Sequence, residues 1–137
     1  LKRARTIWIS RGWQPAAIGY VPNKAAWDRT AKAQNFDAPW KEPTPGGGWA
    51  QLLSNSRDAV VLVCIADKGF ETTADVVLAI VHESVHVWQF IRKHIGEDEP
   101  GIEVEAYSIE AITRGLLDAY CHTQGLGKSL PVIKRGR

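Results

Sequence analysis

The sequence predicts an α+β fold: a small, mostly antiparallel sheet packed against two long helices. Three segments carry that expectation. Ala59–Ala66 contains V-V-L-V-C-I, a continuous apolar run of strand length, rich in β-branched residues. Ala74–His94 has no Gly or Pro and places apolar residues nearly all round a helix. Ile102–Tyr120 aligns Ile102, Ala106, Ile109, Leu116 and Leu117 along one helical side.

The remaining elements follow in chain order. Thr6–Ser10 and Ile18–Val21 read as short strands, and Pro22-Asn23 opens a helix over Lys24–Gln34 that contains Trp27. Asp37–Trp49, rich in Pro and Gly, reads as a loop. Ala59–Ala66 is then the main strand, closed by the turn Asp67-Lys68-Gly69. Thr72 or Thr73 can cap the long helix, Asp75 suits its first turn, and Arg92, Lys93 and His94 suit its last, with Gly96 just beyond. An apolar helix of this kind is expected to be buried. Gly96–Gly101 is an acidic turn leading into the last helix. At 137 residues the chain is expected to form one domain over 1–137, with basic tails at about 1–5 and 126–137.

The chemistry lies in the first long helix. His82-Glu83-Ser84-Val85-His86 spells H-E-x-x-H. Residues i and i+4 share a helix face, so two imidazoles there can reach one Zn²⁺ at about 2.0–2.1 Å each. Glu83 sits about 100° round the helix, where it can approach a water activated by the metal without binding the metal itself. That is the position of a general base in metal-assisted hydrolysis. A third protein ligand is needed. Glu103, Glu105 and Glu110 border the apolar stripe of the next helix, and any of them can turn toward the first. Angle alone slightly favours Glu105. No H-x-x-G-x-x-H continuation follows His86, so a third histidine is not expected.

These residues carry a family resemblance. H-E-S-V-H followed by Glu103-Val104-Glu105-Ala106-Tyr107 resembles the gluzincin zinc metallopeptidases, with H-E-x-x-H and then a helix bearing E-x-x-A. It is similar to the compact ImmA/IrrE-type peptidases and to small H-E-x-V-H…E-x-E-A-Y proteins of phages and prophages. The likeness spans roughly residues 59–120. It implies a minimal zincin-like domain with His82, His86 and Glu103 as zinc ligands, Glu83 as base and a peptide or protein substrate. It also implies that a sheet edge beside the motif holds the substrate as an extended strand. Tyr107 stands where Asp or Asn is commoner in the family. Tyr107, Tyr120, His94 and His122 are all open as donors to the oxyanion, with Tyr107 nearest to Glu103 in sequence.

Other features narrow the reading. A net charge of +2 is too small to imply a nucleic-acid partner, and the basic residues Lys2, Arg3, Arg5, Lys128, Lys134, Arg135 and Arg137 read as solvated ends. No signal-peptide pattern or apolar run of about 18 residues points to a membrane, because His82, Glu83 and His86 interrupt the longest apolar stretch. Cys64 and Cys121 read as free thiols of a reducing compartment, expected to be the cytoplasm; the resemblance implies a bacterial or phage-encoded protein. Gly46-Gly47-Gly48 lacks the Gly-Lys-Ser/Thr ending of a phosphate loop and reads as a flexible connection. Trp40 and Trp49 flank it as anchors or as cleft walls. The rival to hydrolysis is a zinc-binding or peptide-binding accessory module. A purely structural site would be closed by a fourth ligand such as His94, His122 or Cys121, and would have no need of Glu83.

Overall fold

The computed structural model describes residues 5–9, 13–55 and 58–126. Its strands are Ile7–Trp8 (β1), Ala17–Tyr20 (β2), Gly48–Ser54 (β3) and Ala59–Ile65 (β4); its helices are Lys24–Gln34 (α1), Thr73–His94 (α2) and Ile102–Thr123 (α3). Ser10 and the basic residues Lys2, Arg3, Lys128, Lys134, Arg135 and Arg137 lie outside the described residues.

β4 is the hub, as its composition requires. Alternate residues of a strand face opposite sides. Val61, Val63 and Ile65 join Ile18 and Tyr20 against Ile80, Val87, Trp88 and Ile91 of α2 and Ile112 and Leu116 of α3. Val60, Leu62 and Cys64 face the other way, into a second cluster with Val21, Ala26, Trp27 and Trp49. A strand covered on both faces has no polar side to show, which is why 59–66 reads as an unbroken apolar run. The chain is thus three layers deep: α1, the sheet, then α2 with α3.

The sheet order is β1-β2-β4-β3. β1 pairs with β2 and β3 with β4 antiparallel, whereas β2 and β4 run parallel. The sheet is therefore mixed: two of its three pairings are antiparallel, as expected, and the parallel one was not foreseen. The physical reason is the connection: α1 and β3 both intervene between β2 and β4, long enough for a parallel crossover. β3 itself corrects the reading of Asp37–Trp49 as loop through to its end. Gly48-Trp-Ala-Gln-Leu-Leu-Ser has no β-branched residue and weak strand propensity. Seven register pairs with β4 override it. The strand's first residue is a glycine for a steric reason: a Cβ at Gly48 would stand 2.6 Å from the Cys64 carbonyl oxygen.

α2 is capped as expected. Thr72 Oγ1 accepts from the Asp75 amide (3.2 Å), and Asp75 Oδ2 accepts from the Thr72 amide (3.0 Å). The helix packs on β3, β4 and α3. It is not buried all round, however: Leu78 and Val81 are exposed, Leu78 at 65%. By length and hydropathy α2 could cross a bilayer, which corrects the expectation that no such run exists. The three motif residues lower the hydropathy of the segment without bringing it under that level. Ile80, Val87, Trp88 and Ile91 are nonetheless spent on the protein core. α3 runs to Thr123, three residues past the expected Tyr120. Cys64 and Cys121 are buried free thiols.

Candidate metal centre

α2 brings His82 and His86 together on its outer face. Their rings meet edge to face with centroids 4.7 Å apart, and Nε2 of one lies 3.1 Å from Nε2 of the other. Nitrogens bonded to one tetrahedral zinc at about 2.0–2.1 Å stand about 3.3 Å apart. The pair therefore fits a divalent cation of that kind with little adjustment. Gln89 sets the tautomer. Its Oε1 lies 3.0 Å from Nδ1 of His86, so Nδ1–H donates to it and the Nε2 lone pair turns toward His82. In that tautomer Nε2–H of His82 donates across the pair, and a cation would take the place of this proton. Gln89 was not singled out from the sequence, although its i+3 position on the same helix is a usable signal.

Glu83 is set apart from the two histidines by burial. As a residue it is only 5% exposed, but its carboxylate oxygens are not sealed off: they reach the groove and make no hydrogen bond among the described residues. Burial pushes its carboxyl above the ordinary value, against the opposing pull of His82 and His86. Beside it Ser84 Oγ donates to the Ile80 carbonyl at 2.7 Å, so the serine is spent on its own helix.

His82 and Glu83 open onto a groove of about 630 Å³, walled by α2 on one side and by Gly46, Gly47, Gly48 and Phe70 on the other. This is where the glycine run goes: it leads into β3 opposite the motif. β3 is an edge strand. The Ala66 amide donates to Gly47 and the Asn55 amide to Asp58, and in this register Trp49, Gln51 and Leu53 share the inward, hydrogen-bonded parity. The amides and carbonyls of Gly48, Ala50, Leu52 and Ser54 consequently point outward, off the sheet. An edge beside the motif is what the family resemblance implies, but the composition of 48–54 did not mark this strand as the one that forms it.

The second helix does not join the pair. Glu103 is exposed in the first turn of α3. Glu105 faces α2, but its Oε2 accepts from the Trp88 indole at 2.9 Å. Glu110 is exposed. Among the described residues no third His, Cys, Asp or Glu forms a metal-holding group with His82 and His86. Tyr107 is 65% exposed on α3. Tyr120 belongs to the core, His122 lines a separate groove between β1 and α3, and His94 ends α2. Trp40 and Trp49 stack edge to face with Trp27 on the far side of the sheet, with Trp49 Nε1 donating to the Lys41 carbonyl. They are anchors and not walls of this groove.

No family model, curated protein or solved structure matches the chain.

Proposed function

We propose that this chain is a zinc-dependent peptide hydrolase whose working groups are His82, His86 and Glu83. The observation that carries the reading is the facing pair of Nε2 atoms, 3.1 Å apart, beside a largely buried glutamate of the same helix whose carboxylate reaches the groove without a hydrogen bond among the described residues. A purely structural pair would have no need of a carboxylate held at the groove beside it. His82 and His86 hold the ion. Glu103 is the proposed third ligand on the strength of the H-E-x-x-H…E-x-x-A resemblance alone. A bound zinc would supply Lewis acidity, polarising the carbonyl and making water acidic near neutrality.

The chain's own residues supply the rest. The outward amides and carbonyls of β3 hold an extended peptide by strand addition, without demands on its side chains. Glu83 takes the proton of the attacking water as the oxygen bonds to the carbonyl carbon. It then returns that proton to the nitrogen as the C–N bond breaks. A carboxyl lifted above its ordinary value by burial is better suited to that return than a fully solvated one.

A second reading is a non-catalytic zinc-binding or peptide-binding accessory module. It is favoured by the absence, among the described residues, of a third ligand beside the pair. One experiment separates the two: a peptide library read by mass spectrometry, with wild type and Glu83→Gln compared at equal zinc content. Cleavage by wild type that falls in the variant supports hydrolysis. Full zinc with no cleavage by either protein selects the accessory module.

A further inference from the structure

The groove beside the motif is one-sided in charge. Glu71, Asp75 and Glu83 line it, and no Lys or Arg does. Glu83 is the largely buried residue described above, its carboxylate reaching the groove without a hydrogen bond among the described residues. Glu71 is exposed and makes no hydrogen bond or ion pair among the described residues. Asp75 spends only Oδ2 on the Thr72 cap. On α2 the spacing puts Leu78, 65% exposed, between Asp75 and His82, and Phe70 lines the wall opposite. An apolar shelf ending in carboxylates matches the shape of a Lys or Arg side chain, an aliphatic stem with a charged head.

From these positions we infer that the groove selects extended peptides with a Lys or Arg a few residues from the bond held at His82 and His86. The inference rests on the peptide-hydrolase reading for its purpose and on the groove alone for its chemistry. The spacing is set by the helix. Asp75 precedes His82 by seven residues, about 10 Å along the axis. An extended chain covers that distance in about three residues. The glycine wall opposite has no side chains to fill the space, so a long side chain can lie along Leu78. An acidic peptide would meet like charge on every polar side chain of that wall except His82.

The test is equilibrium binding to the full chain, with a chelator present so that hydrolysis does not intervene. The probes are a dye-labelled Ala/Ser peptide bearing one Arg and the matched peptide bearing Glu, read by fluorescence anisotropy. The Arg peptide is expected to bind roughly three- to tenfold tighter, as two or three partly exposed ion pairs allow. The ratio should shrink as salt is raised. In Glu71→Lys, checked for native circular dichroism, it should fall toward one, and in Glu71→Gln part of the way. Equal binding of the two peptides by wild type would overturn the inference. So would an Arg preference that survives both Glu71→Lys and Asp75→Asn. An Arg preference without any hydrolysis when zinc is restored would overturn the hydrolase reading and leave the groove's selectivity standing.

Discussion

α2 and α3 are helices of equal length, 22 residues each, and they are built to different degrees of order at the ends that matter. α2 starts on a reciprocal cap, Thr72 with Asp75, and carries His82, Glu83 and His86 two turns further in, where its inner face is locked in the core. α3 starts on Gly101 with no side-chain cap, and its first turns leave Ile102 (83%), Val104 and Tyr107 exposed. The facing histidines depend only on i, i+4 spacing within one helix, so they are in place as soon as the helix forms. Any ligand from α3 depends on how one helix docks on another. The lesson is that local geometry preorganises half of a site for nothing, and the half that needs tertiary docking is the half to test.

The largest expected effect breaks the comparison on the side of α2. Glu83→Gln should lower peptide hydrolysis by roughly 10²–10⁴-fold at unchanged zinc content, the usual worth of a positioned general base. Tyr107→Phe, exposed on α3, should change it by less than about threefold. A Tyr107 effect equal to that of Glu83 would mean that the first turn of α3 is part of the chemistry after all.

Stability should split in the same way. Ile80→Ala on the buried face of α2 should cost about 2–5 kcal/mol by chemical denaturation. Ile102→Ala should cost less than about 0.5 kcal/mol, because that side chain is already in water. Thr72→Ala should cost about 1 kcal/mol through the lost cap, whereas Gly101→Asp should gain a few tenths by supplying α3 with one.

The smallest effect is confined to alkaline solution. Burial, with Asp67 and Glu42 nearby, pushes the Cys64 thiol from 9.0 up to about 12. A folded value above the unfolded one gives stability that is fully present below about pH 9 and is lost as pH rises toward 12. Denaturation midpoints should therefore hold steady to about pH 9 and decline beyond it, less steeply in Cys64→Ala. At pH 8 native protein should resist alkylation at both Cys64 and Cys121 until denaturant is added, since both are buried.

Much of α2 was legible in the sequence because its signals are local: the cap at Thr72, the absence of Gly and Pro, the i, i+4 histidines. β4 was legible because burial on both faces leaves a plain apolar run. β3 was not, because Gly48 and Trp49 fell within the expected loop, 50–54 carries no β-branched residue, and only the register with β4 makes them a strand. The parallel pairing of β2 with β4 depends on the same long-range register. The outer face of α2 also misled. Leu78 and Val81 continue the apolar pattern, yet both are exposed, and Leu78 borders a groove and not a core. Between Glu103 and Glu105 the helical angle slightly favoured Glu105 and the family spacing favoured Glu103. The structure turns Glu105 to the Trp88 indole and leaves Glu103 exposed.

The central claim is that His82 and His86 bind one cation between them, and metal content tests it most directly. Wild type, His82→Ala, His86→Ala and Glu103→Ala would be purified in parallel, equilibrated with limiting zinc and measured for bound metal. The account predicts about one zinc per wild-type chain, near-complete loss in either histidine variant with native circular dichroism retained, and weakened binding in Glu103→Ala. Full zinc in both histidine variants would contradict it.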